Sequence, residues 1–383
     1  MRHLSAYALV MASFLGLSSV AVACMWDYDT IRMERTRFPG TLELITGKFL
    51  RHSPEFYHWR IANRLKRLET DPTNVALLDD LAVAYDKTGQ HEKAIATAIA
   101  TEKLQPGRYE TAANLGTFFF HAGKLEDGLP HIDRALKINP NAHFGREKYQ
   151  RLLVEYVIER RNGGPLKLPL AKVKDVEQLD LSRSDAFGSF LMRKNPRLSL
   201  TSDEVAEAIK GVTGMMKFGK HDSPVLLEVL GTLLPQIAQP KTDAKLLAAR
   251  AFLKASYAVP EGPARVAYRD MAANALYMQT PRDAMVQISL EQVEGDFRKE
   301  LTEAEAWYAA LHERELSWIR DGKDPEAEFD KLYETEPEVS GMDAIDLPEL
   351  WKTKVRGTIA AVVAIAILIL GVVLLVKLIR RIF

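Results

Sequence analysis

The chain has 383 residues, 47% of them apolar, and its 51 basic and 51 acidic side chains cancel to a net charge of zero. Such length and apolar content supply more than one core's worth of surface. Zero net charge excludes a chain that finds nucleic acid or anionic lipid by long-range attraction, and a single cysteine, Cys24, excludes an intramolecular disulfide or a catalytic cysteine pair.

In chain order, Met1-Arg2 precedes a mostly apolar run from Leu4 to Leu17, then Ser18-Ser19-Val20-Ala21-Val22-Ala23. A short positive start, an apolar run and Ala-x-Ala make a secretory signal peptide over residues 1–23; an uncleaved N-terminal anchor is the alternative. Cleavage would leave Cys24 first in the mature chain. Its setting resembles a bacterial lipoprotein box, in which the thiol is acylated, although Ala21 stands where that pattern usually has leucine. Residues 24–53 read as an N-terminal arm. Its opening Cys24-Met25-Trp26-Asp27-Tyr28-Asp29 either packs Trp26 and Tyr28 on the helices that follow or binds a partner or cation.

Ser53-Pro54-Glu55 opens a helix that continues to about Glu69, with Ser53 as cap and Pro54 in the first turn. Tyr57, Ile61, Leu65 and Leu68 form its inner face, and Arg60, Arg64, Lys66 and Arg67 its outer side. Beyond it, Pro72, Pro106 and Pro140 stand 34 residues apart, each after a helix-like stretch. The first unit, Val75 to Arg108, carries Leu78, Leu81, Ala82, Tyr85, Ala94, Ala98, Thr101 and Pro106. The second, Tyr109 to Ala142, carries Ala112, Leu115, Gly116, Phe119, Gly128, Ile132, Ala135 and Pro140 at the matching places. Small residues at Ala82, Ala94, Gly116 and Gly128 allow two helices to approach, Tyr85 and Phe119 fill the space between them, and Gly89 and Gly123 end the first helix of each unit.

This pattern resembles the tetratricopeptide repeat (TPR) family, whose unit is a 34-residue helical hairpin. Leu78 and Ala112 stand where that family most often has tryptophan. The resemblance covers two units, so flanking helices must cap an array over residues 54–161; Tyr149, Leu152, Leu153, Tyr156 and Val157 give the downstream stripe. It implies a concave, protein-binding groove lined by Asp79, Val83, Asp86, Ala113, Asn114, Thr117, Phe120 and His121, with Glu147, Lys148 and Arg151 on the capping helix.

Asn162-Gly163-Gly164-Pro165 breaks the pattern and opens a second helical region over residues 165–334. Residues 165–196 are mixed in pattern. Helices then start at Thr201 (to about Gly219), Ser223 (to about Leu234), Thr242 (to about Ala258), Gly262 (to about Met278), Glu303 (to Ile319) and Pro325 (to Tyr333). Little or no sheet is expected. Residues 335–356 read as an acidic juxtamembrane stalk. Gly357 to Val376 is 20 residues without a charge, enough at about 1.5 Å per residue to span a bilayer core of about 30 Å. Export by the signal peptide would place the bulk of the chain in the periplasm or outside the cell, with residues 377–383 as a cytoplasmic tail.

No phosphate-binding, dinucleotide-binding or nucleophile-elbow motif is present. His312-Glu313 begins a zinc-protease pattern that Leu316 breaks; His52 and His58 do not share a helical face; His121 and His131 bracket a turn. These histidines read as surface or capping groups, with no metal and no cofactor expected. The expectation is an all-α, membrane-tethered scaffold of the cell envelope that binds protein or peptide, not nucleic acid. A self-associating assembly subunit, or an enzyme with its site in residues 165–334, are the alternatives.

Overall fold

The computed structural model describes residues 25–28, 38–140, 145–171, 185–237, 242–277 and 288–334. The signal segment, Cys24, the stalk and Gly357–Val376 lie outside these residues. Among the described residues the chain is helical throughout, with no strand. The helices are α1 Thr41–Thr46, α2 Pro54–Leu68, α3 Val75–Lys87, α4 His91–Leu104, α5 Tyr109–His121, α6 Leu125–Ile138 and α7 Arg146–Arg161. They continue with α8 Phe187–Lys194, α9 Ser202–Met215, α10 Pro224–Leu233, α11 Thr242–Ala258, α12 Pro263–Tyr277, α13 Leu290–Arg320 and α14 Pro325–Glu334.

The 34-residue period is structural. Helices α5 and α6 start 34 residues after α3 and α4 respectively. The turns inside the two hairpins match bond for bond. Gly89 N–H donates to Asp86 O at 2.9 Å and Gln90 N–H to Tyr85 O at 2.8 Å; Gly123 N–H donates to Phe120 O at 3.0 Å and Lys124 N–H to Phe119 O at 2.9 Å. Both glycines sit at φ +76°, where any other residue is strained.

Close approach of α5 and α6 depends on two further glycines. A Cβ on Gly128 would lie 2.4 Å from the Phe120 ring and 2.8 Å from the Gly116 carbonyl oxygen; one on Gly116 would lie 2.4 Å from Ile132. Backbone cannot retract as a side-chain tip can. Gly128→Ala should therefore lower stability by about 1–3 kcal/mol. Gly295→Ala, on α13 with nothing near its added methyl, should be neutral or gain up to about 1 kcal/mol. Thermal melts of the two variants check this, and an unchanged melt for Gly128→Ala would mean a looser hairpin. Tyr85 and Phe119 are only half-buried, against a cluster that includes Val83, Ala94, Leu115 and Phe118; the rings closed off from solvent are Phe118 and Phe120.

Helix α2 is turned relative to its sequence-based orientation. Phe56, Arg60 and Arg64 are its buried residues, while Leu65 is 46% exposed. The cause is charge pairing: Arg60 meets Asp27 at 3.2 Å and Glu326 at 2.7 Å, and Arg64 meets Asp80 at 2.8 Å. The segment expected to be an arm is also more ordered than that. Residues Thr41–Thr46 form α1, and Leu44, Ile45 and Phe49 are buried.

In the second region, the Thr201 side chain caps α9 and shares a capping box with Glu204. This helix stops at Met215 and gives way to a π-helical turn, Met216–Lys220. Helices α10, α11 and α12 keep close to their expected bounds, and α8 occupies part of the stretch of mixed pattern. Helix α13 begins at Leu290, well before Glu303, because Ser289 and Gln292 form a capping box upstream. No break divides the two regions, since the described residues belong to one compact unit. Helix α7 packs on α9, with Gly211 directly beneath Tyr149. Helix α13 returns to α1 and α2, where Leu50, Leu311, Trp318 and Phe329 share a cluster.

Candidate functional site

The residues expected to line an open groove on α3, α5 and α7 are mostly buried within the chain itself. Asp79, Val83, Asp86, Ala113, Asn114, Thr117, Phe120 and Glu147 are all closed off from solvent. The Arg108 guanidinium donates to Asp79 at 2.7 Å, Tyr109 OH donates to Glu147 at 2.6 Å, and Gln150 Nε2 donates to Thr117 Oγ1 at 3.0 Å. Burial pushes the Asp79 carboxyl up to about 6 against the pull of Arg108. Of the rest, Lys148 is open to solvent and His121 and Arg151 are half-buried, Arg151 being paired with Asp133 and, at 2.9 Å, with Glu155.

Part of this face is covered by another part of the chain. Asn114, on α5, accepts a hydrogen bond from Trp26 N–H at 2.7 Å and donates to Trp26 C=O at 3.0 Å. One side-chain amide thus satisfies both backbone groups of one residue. Flanking contacts fix the position of this segment. Met25 is buried with Val83 and Leu115, Trp26 stands edge-on to Tyr109 at 5.9 Å between centroids, and Tyr28 N–H donates to Asp80 at 3.1 Å. Thus Trp26 packs against Tyr109, as one reading of the arm expects, whereas the Tyr28 ring is 42% exposed and its OH donates to Asp330 on α14 at 2.9 Å.

Beside residues 25–28 is a cavity of about 230 Å³, bordered by Asp27, Arg51, His52, Lys87, Lys217 and His221. Arg51 lies over the Tyr308 ring at 3.5 Å, and Lys87 donates to Phe218 C=O at 2.7 Å. Burial, then the nearby Arg51 charge, pushes the His221 imidazole down to about 3, so it is neutral at physiological pH.

At the turn end of the hairpins, Asp86 lies between two imidazoles. Asp86 Oδ1 is 2.8 Å from His91 Nδ1 and Oδ2 is 2.6 Å from His121 Nδ1. Burial works to raise the Asp86 carboxyl, but the two histidines outweigh it and hold the group down at about 2. Its hydrogen bond in turn raises His91 above the usual histidine range. His121 was expected in the groove and instead joins this cluster. His131 stacks on Phe119 at 5.3 Å and takes no part.

Two features escaped the sequence reading: His91 as partner of His121, and Glu228. Glu228 is a lone acid within the apolar run of α10 and is fully buried. That lone charge was the signal available in the sequence.

No family model, no curated protein and no solved structure matches this chain. Among the described residues no helix is long and apolar enough to cross a membrane; Gly357–Val376 lies outside them.

Proposed function

We propose that the chain is a membrane-tethered TPR scaffold of the cell envelope that binds extended polypeptide on the face formed by α3, α5 and α7. One observation carries this reading: Asn114 holds both backbone groups of Trp26. An amide that reads main chain accepts many sequences, while the sites filled by Met25 and Trp26 supply preference for a large apolar residue and an aromatic. Hydrogen bonds to main chain with pockets for side chains are a general way to recognise extended peptides.

On this reading residues 25–28 are the resident occupant, and an extended segment of a partner takes their place. Export by residues 1–23 and anchorage through Gly357–Val376 would put that exchange at the outer face of a membrane. The test is cross-linking of the native protein in its own cells. Trp26→Ala should loosen the resident segment and raise capture of specific partners. Adding Asn114→Ala should abolish that gain by removing the main-chain contact. Equal capture by wild type and both variants would rule this face out as the binding surface. Charge reversal at Asp79 or Asp86 is unsuitable here, since both are buried and paired and reversal would unfold the array.

A further inference from the structure

We infer that Asp86, His91 and His121 form a binding site for one borderline divalent transition-metal ion, with Zn²⁺ as the best fit. The three residues come from three elements: the last turn of α3, the first residue of α4 and the last residue of α5. One donor atom from each, a carboxylate oxygen and two imidazole nitrogens, lies within 4.8 Å of the others. Small side-chain rotations close that spread to the span of ligands about 2.0–2.2 Å from a common ion.

One observation favours a shared centre: both imidazoles present Nδ1 to the same carboxylate. The two nitrogens and the carboxylate oxygens thus face one another, and an ion bound among them would take the place of the protons that now bridge them, as ligands give up protons on metal binding. The ion also has a way in: the His91 side chain is 29% exposed, against 10% for His121 and 1% for Asp86.

The donor set selects the ion. Two nitrogens and one hard oxygen suit Zn²⁺ or Cu²⁺, and exclude sites built for Ca²⁺, Mg²⁺ or Cu⁺. Three protein ligands leave at least one coordination position for water or for a side chain of a bound partner. Since the ligands belong to α3, α4 and α5, the ion would staple the first repeat to the second.

The test uses the full-length chain in detergent, without a histidine tag, stripped by chelator and titrated with ZnCl₂ against a chromogenic competitor. One equivalent should bind and the melting temperature should rise. His91→Gln and His121→Gln, which keep polar side chains at positions that still accept or donate, should each weaken Zn²⁺ binding by at least about tenfold and lose the thermal shift. His58→Gln and His131→Gln, each away from the cluster, should leave both unchanged. Absence of tight Zn²⁺ binding, or binding that survives both His91→Gln and His121→Gln with the chains folded by circular dichroism, overturns the inference. A Co²⁺-loaded protein gives an independent readout, because its visible spectrum should change when either histidine is replaced.

Discussion

Replacing Arg60 by methionine should destabilise the protein by about 3–5 kcal/mol, although methionine is close to the volume of the arginine stem. Arg60 is 0% exposed. Its guanidinium donates to Asp27 Oδ2 at 3.2 Å and, through Nε, to Glu326 Oε1 at 2.8 Å, and it lies over the Phe56 ring at 4.5 Å. Arg64 extends the network to Asp80 at 2.9 Å and shares Glu326 at 2.5 Å. Asp80 in turn accepts from Tyr28 N–H. Four parts of the chain meet here: residues 25–28, α2, α3 and α14. Removing the central cation leaves the buried Asp27 and the half-buried Glu326 with less compensation, and an uncompensated buried charge costs more than the pair contributed. Urea unfolding gives the magnitude, and the fluorescence of Trp26 against Tyr109 should report release of residues 25–28. Combining Arg60→Met with Asp27→Asn should cost less than the sum of the single changes. Strict additivity, or a wild-type melt for Arg60→Met, would mean that this network does not close the fold.

The same arginines show where sequence reading stops. What depends on neighbours along the chain was legible. The hairpin period, the turns at Gly89 and Gly123, the Ser53 cap with its Phe56 N–H bond at 3.2 Å and the Thr201 cap all follow from residues within a few positions. The orientation of α2 was not legible, because two arginines point inward only when acids far along the chain receive them. Asp27 and Glu326 lie 33 and 266 residues from Arg60. Periodicity ranks arginine as a surface residue, and only tertiary pairing overrides that. The groove is a second case. The pattern placed Asn114, Thr117 and Glu147 on one face of successive helices, and all three are buried and hydrogen-bonded within the chain. Nothing in the repeat states that the chain will lay Met25 to Tyr28 across it. Asp86, His91 and His121 are a third case: His91 and His121 are 30 residues apart with no ligand spacing, and the hairpin geometry alone brings them to one carboxylate.

Glu228→Leu should cost a comparable amount, for a different reason. Glu228 lies in the middle of α10 and accepts three hydrogen bonds: from Leu170 N–H at 2.9 Å, from Ala171 N–H at 2.7 Å and from Tyr268 OH at 2.8 Å. Leucine fills the space but leaves three donors with no acceptor, at about 1–3 kcal/mol each. The expected loss is therefore at least about 3 kcal/mol, centred on the contact between the 170–171 segment, α10 and α12. The pH dependence separates this cause from a packing defect. Burial pushes the Glu228 carboxyl up to about 7 from its ordinary 4.5, against those same three donors and the Arg160 charge. Between those values the folded chain binds a proton that the unfolded chain has released. Stability therefore falls as pH rises through that window, by up to about 3 kcal/mol, and this contribution is level above it. The gap between wild type and Glu228→Leu, measured by urea unfolding from pH 4 to pH 8, should thus be widest at the acid end and narrow toward pH 7. Other titrating groups, Asp79 and His91 among them, are present in both proteins and cancel in the difference. A gap that stays constant across the range would mean that Glu228 is ionised throughout, with its three donors outweighing burial. A gap near zero would mean that the donors find other acceptors, and that α10 is not pinned through this carboxylate.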